Sequence, residues 1–310
     1  DRRQRQMCIR DRLRQQSFLS EKWDFRLDRD EAEDVWEQVD VPHTWNATDG
    51  TSPDYYRGDG TYRYTLSVSP AMMKKRIFLR FEAASQKAEV KLNGQEVGEH
   101  VGGFNAFCFE ITPYVHSGEN LLEVIVSNRK ELNIAPLEGD FTVFGGIYRP
   151  VSLLLLPKAC ITPLDYASSG VYVSQQVGER RADLSVVTKV DNGLKRVKEL
   201  SVKTDVFDAA GKLVATATTS QAAEGQARLD FTNRLTVDNP MLWDGRKSPY
   251  LYRVFVELKR GKEVLDTLSQ YVGLRSFRVD AEKGFILNGK PYKIKAVSYT
   301  HLTLPTILRV

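Results

Sequence analysis

Apolar and polar residues alternate with period two along most of this chain, and no other feature restricts its fold as strongly. TYRYTLSVS (61–69), RIFLRFEA (76–83), AEVKL (88–92) and LLEVIVSN (121–128) all alternate. A strand points successive side chains to opposite faces, so this pattern predicts strands with one buried face. Asn93-Gly94 between two such runs predicts a two-residue hairpin, because a type I′ turn needs two positive φ angles. No segment carries a long 3.6-residue apolar repeat. Many short strands punctuated by Gly, Pro and Asn predict an all-β chain built of sandwiches.

Three pieces follow from the punctuation. The first sandwich is expected over 15–158 and ends in VSLLLLP (151–157), whose unbroken apolar run reads as a strand buried on both faces. A second run of about seven strands in roughly 105 residues, over 159–273, has the count and spacing of an immunoglobulin-like sandwich. It lacks a Cys…Trp…Cys core, and Trp243 is expected as a core plug at a sheet edge. The third piece, 274–297, is a second Asn-Gly hairpin at Asn288-Gly289 with an apolar strand over 292–297. Two strands alone are marginally stable, so this piece reads as the start of something larger.

Charge narrows the partners. Residues 1–14 hold six arginines and two aspartates; removing them from the 44 basic and 40 acidic side chains of the chain leaves 38 of each. A neutral body with a basic stub has no broad footprint for phosphate, which argues against nucleic acid. No apolar run approaches the roughly 18–20 residues that span a bilayer as a helix. The three cysteines, Cys8, Cys108 and Cys160, show neither a disulfide framework nor zinc-ligand spacing, and Cys108 is expected as a small core residue. His43, His100 and His116 lie in separate loops or strand ends, and no serine sits on a nucleophile elbow. Gly102-Gly103 and Gly145-Gly146 lack the strand–turn–helix setting of a phosphate loop.

Two resemblances add to this reading. QMCIRDR (6–12) and VSYTHLTLPT (297–306) resemble peptides translated from sequencing-adapter DNA at the ends of assembled metagenomic fragments. Residues 1–14 and 298–310 are accordingly set aside as artefact. Between them, VPHTWNATDG (41–50), YYRGDGTYRYTL (55–66), VKLNGQEVGEHVGGFNAFCFEIT (90–112), GENLLEVIVSN (118–128), DFTVFGGIYRPVSLL (140–154), LWDGRKSPYLYRV (242–254) and GLRSFRVDAEKGFILNGKPYKIKAV (273–297) come in one order. In that order they resemble glycoside hydrolase family 2, the β-galactosidases, β-glucuronidases and β-mannosidases.

The resemblance implies a jelly-roll sugar-binding domain, an immunoglobulin-like domain, and the first hairpin and strand of a (β/α)8 barrel that needs about 250 further residues. Retaining glycosidases use two carboxylates about 5–5.5 Å apart. The family places both at later barrel strands, so no catalytic residue is assigned in this chain, and no metal or cofactor. Three residues are implied as substrate-binding. Asp140 falls where related β-galactosidases place an aspartate on the terminal sugar; a carboxylate can accept from two adjacent hydroxyls. Its alternative is a turn-capping aspartate. Arg57 and Asp59 lie on the YYRGDG loop, either as a second sugar-binding rim or as a surface ion pair worth roughly 0–1 kcal/mol. The function implied is the non-catalytic N-terminal part of a retaining β-glycosidase acting on terminal β-linked sugars, β-galactosides foremost. A lectin-like module and a purely bracing or oligomerising module are the alternatives. The implied partners are carbohydrate, the barrel of the same protein and a second copy of the chain. The source implied is bacterial, and the choice between periplasm and cytoplasm stays open.

Overall fold

The computed structural model describes residues 13–28, 35–52, 54–137, 141–195, 199–223, 225 and 227–294. Its first ten strands are β1 (Gln15–Phe18), β2 (Trp23–Asp28), β3 (Glu37–Val39), β4 (Asp59–Val68), β5 (Arg76–Phe81), β6 (Lys87–Leu92), β7 (Gln95–Val101), β8 (Phe107–Glu110), β9 (Gly118–Ser127) and β10 (Val151–Leu156). They form a six-stranded sheet in the order β3-β2-β4-β9-β6-β7 and a four-stranded sheet in the order β1-β10-β5-β8. The predicted alternation is visible in β6, where Ala88, Val90 and Leu92 are buried and the residues between them are not. The core between the sheets contains Trp23, Phe25, Tyr62, Leu79, Phe81, Val124 and Val151. A fully buried side chain of this kind contributes about 1.5–3 kcal/mol. Trp23 stays dry without loss because its indole N–H donates to the Leu19 carbonyl at 2.9 Å.

The β6–β7 turn is the one expected, with Asn93 at φ +52° and Gly94 at φ +77° between the paired Leu92 and Gln95. The Asn93 side chain does more than tolerate that backbone. Its Nδ2 donates to the Tyr114 carbonyl at 3.0 Å, and its Oδ1 accepts from the Leu121 N–H at 3.0 Å.

Only Pro157 and Lys158 separate β10 from the second sandwich. Its strands are β11 (Ala159–Ile161), β12 (Val171–Val177), β13 (Arg181–Asn192), β14 (Glu199–Phe207), β15 (Leu213–Ala222), β16 (Ala227–Asp238), β17 (Tyr252–Arg260) and β18 (Glu263–Val272). β13 pairs with β16 along its full length and with β11 and then β12 on its other side, and β15-β14-β17-β18 form the facing sheet. The core is mostly aliphatic, with Leu184, Val186, Val202, Val254 and Val256 around Phe231. A polar tie crosses it: buried Asn233 donates to the Val202 carbonyl at 3.0 Å and to the Thr204 hydroxyl at 2.8 Å.

The two sandwiches meet along a seam. β10 is buried on both faces, as its composition predicted. Val151 and Leu153 face the first core, while Leu154 and Leu156 pack with Phe78 and Cys160 of the seam, against Cys108 and Leu164. Cys108 therefore sits at the seam rather than in the first core, and burial pushes both thiols up to about 12. Charges flank this apolar strip. Arg14 donates to both oxygens of Asp266, at 2.7 and 3.3 Å, and to the Ile161 carbonyl at 2.6 Å. Asp266 is fully buried on β18, and its Oδ2 also accepts from the Ile161 N–H at 2.9 Å. Arg14, set aside with the basic stub in the sequence reading, is thus engaged by the second sandwich. Residues 1–12 of that stub, and all of 295–310, lie outside the described residues. Arg76 grips Glu110 through two bonds, at 2.9 and 2.6 Å, and stands 3.7 Å from Asp191 across the seam. Burial alone would raise the Glu110 carboxyl, but the Arg76 guanidinium and the Thr112 hydroxyl hold it below its usual value.

The third sheet is β19 (Phe277–Asp280), β20 (Gly284–Leu287) and β21 (Lys290–Pro291). Asn288 and Gly289 again take positive φ, +48° and +78°. The strand expected over 292–297 is not formed over its described part, 292–294. Trp243 is half-buried rather than a core plug. It lies on Gly273, whose added Cβ would come within 2.8 Å of it, and Arg275 covers its ring at 5.2 Å. From there its carbonyl accepts from Asn288 at 3.0 Å and so ties the hairpin to the second sandwich. Leu274, expected to open the third piece, is buried in the second core.

Two outcomes follow for stability. Asp266→Ala leaves the Arg14 guanidinium and the Ile161 N–H without their acceptor, so urea unfolding should show a loss of about 3–5 kcal/mol; a change under 1 kcal/mol would mean that the pair does not hold the seam. Removing residues 276–310 takes away the exposed Phe277 and Val279 and should raise soluble yield. Removing 274–310 deletes buried Leu274 as well and should lower it. Equal yields would contradict this boundary.

Candidate functional site

The candidate site is the loop cluster at one end of the first sandwich, formed, among the described residues, by 43–52, 54–58, 84–86, 102–104, 128–137 and 141–148. Buried polar groups need partners, and here two asparagines supply them for several loops at once. Asn46 and Asn128 have no exposed surface. Asn46 donates to Asp49 Oδ1 at 2.9 Å and to the Tyr56 carbonyl at 3.0 Å, and its Oδ1 accepts from the Gly145 N–H at 2.8 Å. Asn128 accepts from the Gly58 N–H at 2.8 Å and donates to the Val143 carbonyl at 2.9 Å. The two amides also meet, Asn128 Nδ2 donating to Asn46 Oδ1 at 3.3 Å. A primary amide offers two donors and an acceptor in one plane, which is why it can tie three segments together. Sequence reasoning missed this hub. Asn46 begins an Asn-Ala-Thr triplet that matches a glycosylation pattern, yet its burial leaves no room for a glycan.

Arg57 extends the same framework. Its Nε donates to the Asn128 carbonyl at 2.8 Å, one terminal nitrogen to the Leu137 carbonyl at 2.9 Å, and the other to Gln86 Oε1 at 3.4 Å. Gln86 in turn donates to the Pro136 carbonyl at 3.0 Å. The guanidinium is thus directed at the chain just before residue 138. Asp59, at the start of β4, takes Arg129 as its partner at 3.1 Å. Arg57 and Asp59 are therefore neighbours in sequence with separate partners, not the surface pair considered from sequence. Asp140 lies outside the described residues. The described chain on its far side is also pinned: the Thr142 hydroxyl donates to the Gly50 carbonyl, and the Val143 N–H donates to the Tyr55 hydroxyl at 3.0 Å.

Phe104, Phe141 and Phe144 are exposed in these loops. His43 and His100 are structural. His43 Nδ1 meets the Tyr62 hydroxyl at 2.8 Å, its ring packs 4.7 Å from Phe25, and burial lowers its pKa. His100 stacks on Phe107 at 4.3 Å, and burial lowers it likewise. Gly145 lets Trp45 pack under the loops, since an added Cβ would fall 2.0 Å from the indole ring. Among the described residues, no group of three His, Cys, Asp or Glu side chains could hold a metal ion, and no helix is long and apolar enough to cross a membrane. The arrangement suits a rim that presents side chains to a ligand or to another domain.

Comparison with known proteins places both sandwiches. The family model described as glycosyl hydrolases family 2, sugar binding domain, matches residues 17–157, and the one described as glycosyl hydrolases family 2 matches residues 169–275. A β-glucuronidase of Bacteroides fragilis is 38% identical over 288 residues, covering 92% of this chain and 41% of that protein. β-Galactosidase BoGH2A of Bacteroides ovatus is 33% identical over 281 residues, covering 87% and 32%. The solved structure of Bacteroides uniformis β-glucuronidase 2, covalently bound to cyclophellitol-6-carboxylate aziridine, superposes with a TM-score of 0.85 at 36% identity, covering 92% of this chain and 35% of that one. The chain spans about two fifths or less of the length of these relatives. With both of its sandwiches matched in order, it belongs to glycosyl hydrolase family 2.

Proposed function

We propose that these residues are the non-catalytic N-terminal scaffold of a retaining β-glycosidase. The observation that carries this reading is the match across both sandwiches to glycosidases more than twice as long. Retention needs two carboxylates about 5–5.5 Å apart flanking the scissile bond, one as acid/base and one as nucleophile. No pair in this chain is given that role; both belong to the remaining length that the relatives possess. The sugar is a terminal β-linked one. The higher identity to a protein named β-glucuronidase puts β-glucuronide first, ahead of the β-galactoside that the motifs favoured. The partners are that carbohydrate and the barrel that follows.

In this reading Asp140 reaches the terminal sugar from the rim, and Arg57 is a positioning residue that holds the 136–137 segment leading to it. Asp59 braces the same loop through Arg129. The chain alone should show no turnover of a chromogenic β-glucuronide or β-galactoside, while the complete gene product hydrolyses one of them. Hydrolysis by the chain alone, or a complete product inert on both, would contradict the proposal.

A second experiment tests the rim in the complete enzyme. Asp140→Asn should raise KM about tenfold with a smaller change in kcat, because a charge-assisted contact to the bound sugar weakens. Arg57→Ala should do the same and speed amide exchange around Leu137. Arg57→Lys should not rescue it, since an ammonium cannot span three acceptors in a plane. Unchanged KM in both alanine and asparagine variants would remove the rim from substrate binding.

A further inference from the structure

Asparagine followed by glycine can lose its side-chain amide without an enzyme, because a glycine nitrogen carries no neighbouring Cβ to hinder its attack on the asparagine side-chain carbonyl. The chain has three such pairs, Asn93-Gly94, Asn192-Gly193 and Asn288-Gly289, and the fold holds them with unequal firmness. Asn192 is buried in the ladder between Ala159 and Ala227, and the Gly193 N–H donates to the Lys158 carbonyl at 2.8 Å. Asn93 turns a hairpin of the six-stranded sheet, and its amide is held at three points. Its Nδ2 donates to the Tyr114 carbonyl at 3.0 Å and to Asn120 Oδ1 at 2.9 Å, and its Oδ1 accepts from the Leu121 N–H at 3.0 Å. The Asn288 amide is held at two, its Nδ2 donating to the Trp243 carbonyl and its Oδ1 accepting from the Ser276 N–H, each at 3.0 Å. The sheet around it is small. β19 and β20 have four residues each and β21 has two, and burial in these strands is confined to Ile286 and Leu287. Gly289 is exposed, with open space where a Cβ would stand. So small a sheet is marginal, and a segment with few buried contacts opens locally at low cost.

We propose that Asn288 is a site of spontaneous deamidation and that its conversion releases the last hairpin from the second sandwich. While the turn is closed, both ends of the amide are engaged and its rotation is restrained. When the hairpin opens, the Gly289 nitrogen gives its proton to hydroxide and bonds to Asn288 Cγ; the Cγ–Nδ2 bond breaks and ammonia leaves. Water then opens the resulting succinimide at one or other of its carbonyls, giving aspartate or isoaspartate. Nothing is oxidised or reduced. Either product undoes the tie. Aspartate puts a carboxylate oxygen where Nδ2 donated to the Trp243 carbonyl, so two acceptors face each other with no proton between them. Isoaspartate also inserts a backbone carbon between Leu287 and Lys290, which the turn pairs, and so breaks their register. This inference is independent of the hydrolytic reading, because it uses no residue of the rim and its readout is chemical.

The test is to age the full 310-residue chain in mildly alkaline buffer and to follow each asparagine by peptide mapping with isoaspartate detection. Asn288 should convert at least about tenfold faster than Asn93, the ratio set by how often each turn opens, and Asn192 should be slower than either. Amide hydrogen exchange gives the second readout. In the aged fraction, and in freshly made Asn288→Asp, the amides of 277–291 should exchange faster while those of β13 and β16 keep their rates. Asn288→Asp removes no buried apolar side chain, and unchanged exchange in β13 and β16 verifies that the second sandwich is intact. Conversion of Asn93 or Asn192 as fast as that of Asn288, or a hairpin that exchanges at the same rate before and after conversion, would overturn the proposal.

Discussion

Asp266 holds the molecule together at the point where it would otherwise be two domains on a string. A fully buried carboxylate is tolerated only with a counter-charge and hydrogen bonds. Asp266 finds both: the counter-charge across the seam, in Arg14 just ahead of β1, and a hydrogen bond within its own sandwich, from the Ile161 N–H. The link between the sandwiches is two residues long, so there is no slack for them to move apart while these contacts persist. The apolar strip of Phe78, Leu154, Leu156 and Cys160 supplies non-directional attraction; the arginines supply register. Leu154 and Leu156 can serve the seam while Val151 and Leu153 serve the core only because a strand alternates its side chains.

The same division recurs at the loop end. Sheets give the rim a rigid base, but the loops are ordered by polar groups that have been taken out of water. Asn46 and Asn128 bind segments far apart in sequence, and Arg57 extends their reach to residue 137. Desolvation makes each bond matter: removing one partner leaves another buried group unpaired. A loop held in this way can carry a ligand-facing side chain with little entropy left to lose on binding.

What could be read from the sequence was local. Asn93-Gly94 and Asn288-Gly289 announced their turns because Asn and Gly take the needed positive φ angles most readily. The double burial of β10 was legible because a run of leucines has no polar face to turn outward. The hub was not legible: Asn46 and Asn128 are 82 residues apart, and nothing in either neighbourhood marks an amide as buried. Arg14 was set aside with residues 1–14 on a resemblance of strings, and nothing local in the sequence points to its partner Asp266, 252 residues away. Trp243 was misplaced for a related reason. Its aromatic bulk suggested a core, whereas Gly273 and Arg275 give it a half-buried shelf from which it anchors the last hairpin. The sugar-binding role of the rim was inferred from family motifs and not from physics, and its residue Asp140 lies outside the described residues.

A scaffold can hold its rim of loops in a fixed place only if its two sandwiches behave as one body. Differential scanning calorimetry of the chain measures this directly. A single transition whose calorimetric and van't Hoff enthalpies agree is expected. Two separate transitions, one per sandwich, would show that the seam does not couple them and would contradict the account at its base.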